Sequence, residues 1–309
     1  MPLYLANLTA RIFSGVMKFN DSRREELKTF FLSAQSDNGG FHGRNGEADI
    51  YYTAFALRGL FLLGALNDAE LTQKISAFLE AERCRKLSAA ELTSLIFSLS
   101  LIHLSTGSAF SEEQVQYFLG EWERFRTSDG CFAASDKTSY SSSYTTFLAA
   151  VSLELLGAED ICNTIPVEPI LDRQRSDGGF VELLPLHRSG TNPTAACIGF
   201  LTLRDVELRN RQDAICFLRR QQSGFGGFTA HSQIPVPDLL SSFSAAAAFA
   251  DMNAADQYDV PMLQKFVADL RSPCGGYFGV IGDRQCDVEY TFYGLALEAL
   301  LRGLTPPSL

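Results

Sequence analysis

Five short segments of this 309-residue chain are variants of one signature, and their even spacing leaves few folds open. They read QSDNGGF at 35–41, RTSDGCF at 126–132, RQRSDGGF at 173–180, QQSGFGGF at 221–228 and LRSPCGGY at 270–277. The closing aromatics, Phe41, Phe132, Phe180, Phe228 and Tyr277, follow one another after 91, 48, 48 and 49 residues. The first interval is twice about 45, so a degenerate sixth unit without the glycines is expected near Lys86 and Leu87. Repetition at this period means one supersecondary unit copied along the chain, each copy covering its neighbour's apolar face. A single domain over 1–309, with a short N-terminal extension at 1–20, follows from that pattern.

Each unit has the same internal order. A segment such as SEEQVQYFLGEWERFR at 111–126 opens with the capping-box pair Ser111 and Gln114 and carries its charges on one side, as an outer helix does. The glycine pair then supplies a turn that other residues resist, and the aromatic after it can plug the gap between units. After a polar loop comes a segment apolar almost all round, such as IYYTAFALRGLFLLG at 50–64 or SSFSAAAAFADM at 241–252. A helix with no polar stripe has to be buried, so these are inner helices, and the short side chains of 244–248 would allow close helix approach. No strand-type alternation is sustained. An open stack of hairpins needs polar capping repeats, yet the last unit, EYTFYGLALEALLRG at 289–303, is as apolar as the first, so the six hairpins are expected to close into a ring.

Composition removes several classes of function. A formal charge of -10 with a pI near 5.0 and no long Lys/Arg run gives no surface for tracking phosphates, so nucleic acid is not an expected partner. The first twenty residues lack the apolar run of a signal peptide, and no membrane span is expected, which points to a cytoplasmic protein. Seven cysteines without a CxxC pair read as reduced thiols, mostly in the core. The P-loop, G-x-G-x-x-G, G-x-S-x-G and D-D-x-x-D motifs are all missing from the sequence.

The combination Q-x-x-D-G-G-F, a polar loop, then Asp-x-x-Tyr-Thr-x-x-Ala-Leu-x-x-Leu resembles the α/α-toroid superfamily of protein prenyltransferase β subunits and squalene-cyclase-type terpene cyclases. It is clearest at 35–63 and 273–300 and covers nearly the whole chain. The resemblance implies an all-α fold, an α/α toroid of six hairpins in which inner and outer helix rings surround a central cavity. It places the ligand site at the N-terminal ends of the inner helices. It also implies a zinc site for protein prenylation, made by an Asp and a Cys two residues apart and a His in the next repeat. Here PDLLSSFS keeps the acid as Asp238 but has Leu240 for the thiolate, and DVEYTFY has Tyr290 for the imidazole. An alkyl chain and a neutral phenol cannot replace those donors, so no catalytic zinc and no other cofactor is expected. The family's diphosphate cations are replaced by Ser232 and Pro235, the tyrosine beside the cysteine by Ser241, and the repeat-four histidine by Gly190.

The cyclase branch protonates an alkene or epoxide with the middle acid of D-x-D-D-T. Asp287-Val-Glu289-Tyr290-Thr291 resembles that motif, which implies Glu289 as proton donor supported by Asp287. The remaining inner ends offer an acidic and aromatic set for ligand binding: Asp49, Tyr52, Tyr144, Asn192, Asp238, Ser242 and Tyr290. Against this, an Asp in each such place is also a good N-cap for the helix that follows. Tyr51, Phe55, Phe147, Phe243 and Phe292 read as core or lining at helical spacing, and His42 as a turn-surface side chain. The expected function is a prenyltransferase-β-like protein that binds an isoprenoid or other apolar molecule in its funnel with the zinc site degenerate. A terpene-cyclase-type enzyme using Glu289, or a non-catalytic ring that binds a helical α-subunit-like partner, are the alternatives.

Overall fold

The computed structural model describes residues 4–304, within which fourteen helices form, with backbone bridges only at the turns and rim loops. The inner helices are α3 (Ile50–Leu62), α5 (Ala89–Thr106), α7 (Ser143–Leu155), α10 (Thr191–Leu203), α12 (Leu239–Asp251) and α14 (Val288–Leu304). Each packs against the next in that order, and α14 packs back on α3, so the ring is closed. The outer positions are held by α2 (Asp21–Ser33), α4 (Ala69–Arg83), α6 (Glu112–Glu123), the one-turn helices α8 (Glu159–Cys162) and α9 (Glu168–Leu171), α11 (Arg211–Arg220) and α13 (Val260–Asp269).

Two units depart from the common pattern. In the second, α4 runs into α5 through five residues without a glycine turn, where Leu87 is buried and Ser88 caps α5 with a full capping box. In the fourth, the expected amphipathic outer helix is only α8 and α9: Pro166 lies in the break between them, since proline lacks the N–H that a helix interior uses, while Pro169 stands in the first turn of α9, where no N–H is needed.

A hydrogen bond repeated at all five glycine turns explains the signature. The backbone N–H of Phe41, Phe132, Phe180, Phe228 and Tyr277 donates to the hydroxyl of Thr53, Thr146, Thr194, Ser242 and Thr291 at 2.8–3.1 Å. That hydroxyl sits in the first turn of the inner helix, and in the first, third and fourth units it donates in turn to the cap carbonyl of Asp49, Ser142 or Gly190 at 2.6–2.7 Å. Turn, aromatic plug and inner helix are thereby locked as one piece, with all five aromatics fully buried. The last unit uses Tyr rather than Phe, and its buried hydroxyl is satisfied by Glu298, which Arg271 also holds.

Closure is visible at Gly275. It has φ +93°, and a Cβ there would lie 2.9 Å from the carbonyl oxygen of Glu26 on α2, so the last turn leans on the first outer helix. The first glycines of three other turns lean on the next outer helix in the same way, at Lys74, Asp213 and Met262.

The extension expected at 1–20 contains helix α1 (Tyr4–Val16), which runs against α14 with Gly15 on the Ala299 backbone. Its first two described N–H groups, on Tyr4 and Leu5, donate to the Glu154 carboxylate at 2.6 and 3.2 Å. Tyr4 Oη donates to Asp251 at 2.8 Å, and Arg11 pairs with the same carboxylate at 3.3 Å. Glu154 and Asp251 lie at the C-terminal ends of α7 and α12, so α1 forms a floor beneath the ring.

By length and composition, α5 is a helix apolar enough to cross a bilayer; here it is wedged between α3 and α7. One sequence expectation needs correction. The cysteines are all unpaired, but only Cys131, Cys162 and Cys197 are buried, while Cys84 and Cys274 are exposed.

Candidate functional site

The inner helices enclose a cavity of about 510 Å³, within the roughly 300–1,000 Å³ range of small-molecule sites. Its walls are one stripe from each of α3, α5, α7, α10 and α12 at the i, i+3, i+4, i+7 spacing that lines a single face, with Tyr293 added from α14. From α3 come Tyr51, Ala54, Phe55 and Arg58; from α5, Ala90, Thr93, Ser94 and Phe97; from α12, Leu240, Phe243, Ser244, Ala247, Ala248 and Asp251. Short side chains create the space. Of the 244–248 run, Ser244, Ala247 and Ala248 face the cavity, whereas Ala245 and Ala246 pack in the core. Tyr4, Leu5 and Leu8 of α1 close the floor. At the other end, the N-terminal ends of the inner helices, stand Tyr144, Asn192 and Glu182.

The residues expected to bind ligand separate into three groups. Tyr144 and Asn192 line the cavity: Tyr144 is 43% exposed into it, and the amide oxygen of Asn192 is buried without a hydrogen-bond partner among the described residues. Three acids, Asp49, Asp238 and Asp287, cap α3, α12 and α14, accepting the N–H of Tyr52, Ser241 and Tyr290 at 2.7–2.8 Å. Asp238 also accepts the Ser241 hydroxyl at 2.8 Å. Burial raises the pKa of Asp49 and Asp238 from the ordinary carboxylate value. The third group packs elsewhere. Ser242 is fully buried holding the Phe228 N–H, and Tyr52 and Tyr290 lie over Gly43 and Gly279, where a Cβ would meet their rings at 2.4 and 2.9 Å.

Asp287 is held on two sides. Arg44 Nε donates to it at 2.7 Å while the same guanidinium grips Asp283 at 2.6 Å, so the Asp287 carboxylate is both a helix cap and the anion of an ion pair. Arg44 lies 243 residues away, and no local motif announces the pairing. Glu289 is different. It is outside the cavity lining, but Tyr51, which is in it, donates its hydroxyl to Glu289 Oε1 at 2.8 Å. Burial, reinforced by Asp287 and Asp49, raises the Glu289 pKa, against the opposing effects of the Tyr51 hydrogen bond and Arg44.

Leu240 presents only an alkyl chain to the cavity, and Tyr290 is folded over Gly279, so the donor set around Asp238 does not fit zinc. Among the described residues no group of three or more His, Cys, Asp or Glu side chains is arranged to hold a metal ion.

Residues that sequence reasoning passed over are Arg58, Asp251, Glu182, Tyr293 and the α1 residues. A signal existed for Arg58: Tyr51, Phe55 and Arg58 stand at i, i+4, i+7 on a helix otherwise without charge. Asp251 is held at the floor with its pKa pushed up to about 6 by burial, against the lowering effects of Tyr4 and Arg11.

The prenyltransferase alpha-alpha toroid domain matches residues 9–81 and 194–306, more than half the chain. Among solved structures, the chain is similar to a type II terpene cyclase from Scytonema in complex with geranylgeranyl dihydroxybenzoate, with TM-score 0.61 and 11% identity over 94% of this chain and 98% of that one. It is similar to the same degree to an α-1,6-mannanase from Salegentibacter in complex with α-1,6-mannotetrose, with TM-score 0.61 and 15% identity over 91% and 98%. No curated protein matches it by sequence.

Proposed function

The chain belongs to the prenyltransferase α/α-toroid domain family, and from that membership we propose that it binds an isoprenoid or other long apolar molecule in the ring cavity, its zinc-dependent prenylation site being degenerate. The observation that carries this is the wall itself: Phe55, Phe97, Phe147, Phe243 and Leu240 with Ala and Ser between them. Such a surface gains roughly 25 cal/mol for each Å² of apolar ligand it takes from water. Similarity of fold alone cannot choose between the terpenoid and the glycan held by the two neighbours. The lining favours the terpenoid. Glycoside hydrolysis uses two carboxyls about 5–10 Å apart, whereas the two in the lining are Glu182, a loop residue on the cap of α7 at the mouth, and Asp251, at the far end of α12, a helix of 13 residues about 20 Å long.

Cyclisation is the second reading, favoured by the raised pKa of Glu289 and its bond to Tyr51. Proton delivery would need this bond reversed: Tyr51 gives its hydroxyl proton to the alkene in the cavity and takes one at Oη from a protonated Glu289. The Arg58 cation in the same wall opposes a developing carbocation, so binding is the stronger reading.

Native mass spectrometry of protein purified without added lipid, followed by titration with farnesol, tests the proposal. A co-purified isoprenoid or saturable farnesol binding is expected; neither appearing would refute it. About one zinc per chain by metal analysis would overturn the loss of the metal site. Cyclised product from a linear polyprene, abolished in folded Glu289→Gln, would replace binding with catalysis.

A further inference from the structure

Arg58 is a charged residue in an apolar wall, and its surroundings do not answer its charge. The guanidinium carbon lies 4.0 Å from the centroid of Phe292, 5.2 Å from Phe97 and 5.6 Å from Phe55, so aromatic faces carry it on several sides. Among the described residues it has neither a hydrogen bond nor an ion pair, although other arginines of the chain find carboxylates or carbonyls, such as Arg44 with Asp283 and Asp287 or Arg204 with Ile165. The groups facing it are phenols: Tyr51, Tyr144 and Tyr293. Tyr51 spends its proton on Glu289, whereas the hydroxyls of Tyr144 and Tyr293 have no hydrogen-bond partner among the described residues. Burial pulls the Arg58 pKa below its ordinary value, yet a guanidinium keeps its proton in protein interiors.

Cation-π contact stabilises such a group but leaves its five N–H donors unused. Donors that open on a cavity and lack an acceptor in the protein call for one from a ligand. We infer that Arg58, with the hydroxyls of Tyr144 and Tyr293, forms an anion subsite inside the cavity that receives the carboxylate of an isoprenoid or similar apolar acid. This rests on the cavity being a ligand site, and adds the class of ligand.

The charge balance selects a monoanion. Arg58 is the one cation in the described lining, and the other ionisable side chains there are the acids Glu182 and Asp251 and the tyrosines. A carboxylate brings one negative charge and accepts a bidentate guanidinium pair. A diphosphate brings more charge than one guanidinium and neutral phenols can neutralise. Arg58 is the ninth residue of α3, about 12 Å along it, so the anion would lie well inside the ring with its chain along the Phe and Ala surfaces.

Farnesoic acid, farnesol and farnesyl diphosphate, which share one chain, are the probes, titrated against the full-length protein and against Arg58→Met, which keeps the length and apolar contacts of the side chain. The acid should bind roughly 10- to 100-fold more tightly than the alcohol, and Arg58→Met should remove that advantage by weakening the acid far more than farnesol. Equal binding of acid and alcohol to the unaltered protein, an acid advantage that survives in Arg58→Met, or tighter binding of the diphosphate than of the acid would each overturn the carboxylate subsite while leaving the cavity reading intact. If no probe binds, both fall. Should Arg58→Met fail to fold, Arg58→Gln takes its place, and the acid-to-alcohol ratio of the unaltered protein still decides.

Discussion

Replacing Thr146 by Val isolates the bond on which every glycine turn depends. Thr146 is fully buried; its hydroxyl accepts the Phe132 N–H at 3.1 Å and donates to the Ser142 carbonyl at 2.7 Å. Valine fills nearly the same volume, so the change removes hydrogen bonding without opening a cavity. The Ser142 carbonyl keeps the Thr146 backbone N–H at 3.0 Å, so little is lost there. The Phe132 N–H is left buried and unsatisfied, which costs about 1–3 kcal/mol. With an unfolding entropy of about 2.1 cal/mol/K per residue, a chain of this length has about 0.65 kcal/mol/K, so 2 kcal/mol lowers Tm by about 3 °C. Thr146→Ser keeps both bonds and loses one methyl, about 0.8 kcal/mol or roughly 1 °C. Calorimetry of the three proteins at one pH gives the comparison. A Val variant as stable as the parent, or a Ser variant that falls as far as Val, would refute the claim that the hydroxyl locks turn to helix.

Two further outcomes follow from the floor. Asp251 titrates near 6 in the folded protein against an ordinary 3.8, so the folded state holds the proton more tightly and stability falls as pH rises from about 4 to 6, by up to about 3 kcal/mol. Urea midpoints for Asp251→Asn should lose that slope; an unchanged slope would show that Asp251 is not its source. In Gly15→Ala the new Cβ would sit 1.9 Å from the Ala299 carbonyl oxygen, a clash worth about 1–3 kcal/mol that should lift α1 from α14. Hydrogen exchange across 4–16 should then rise while the inner helices stay protected, and equal protection in both proteins would count against α1 as a separately docked floor.

The repeat was legible because it is written in local chemistry. A glycine pair, an aromatic and a first-turn Thr or Ser recur at fixed spacing, and each acts on residues within 14 positions, so the periodicity, the buried inner helices and the acid caps could be read from the chain. Ring closure was legible too, through the apolar last unit. The cavity was only half legible. Tyr144 and Asn192 lie on its wall, but Ser242, Tyr52 and Tyr290 serve the turns, because an inner helix has several apolar faces and the sequence does not say which one looks inward. That choice is made by the angle at which six helices meet.

Long-range electrostatics belonged to the tertiary structure alone. Asp287 is an ion pair because the closed ring brings Arg44 to it, and Asp251 becomes a floor anchor because α1 crosses beneath α12. Arg58 had to be seen in place before its want of an acceptor had meaning, since a lone arginine in an apolar stretch could have met a carboxylate from any other repeat. Periodic local bonds decide what the units are; only their assembly, by bringing charges from distant repeats together or keeping them apart, decides what the space between them attracts.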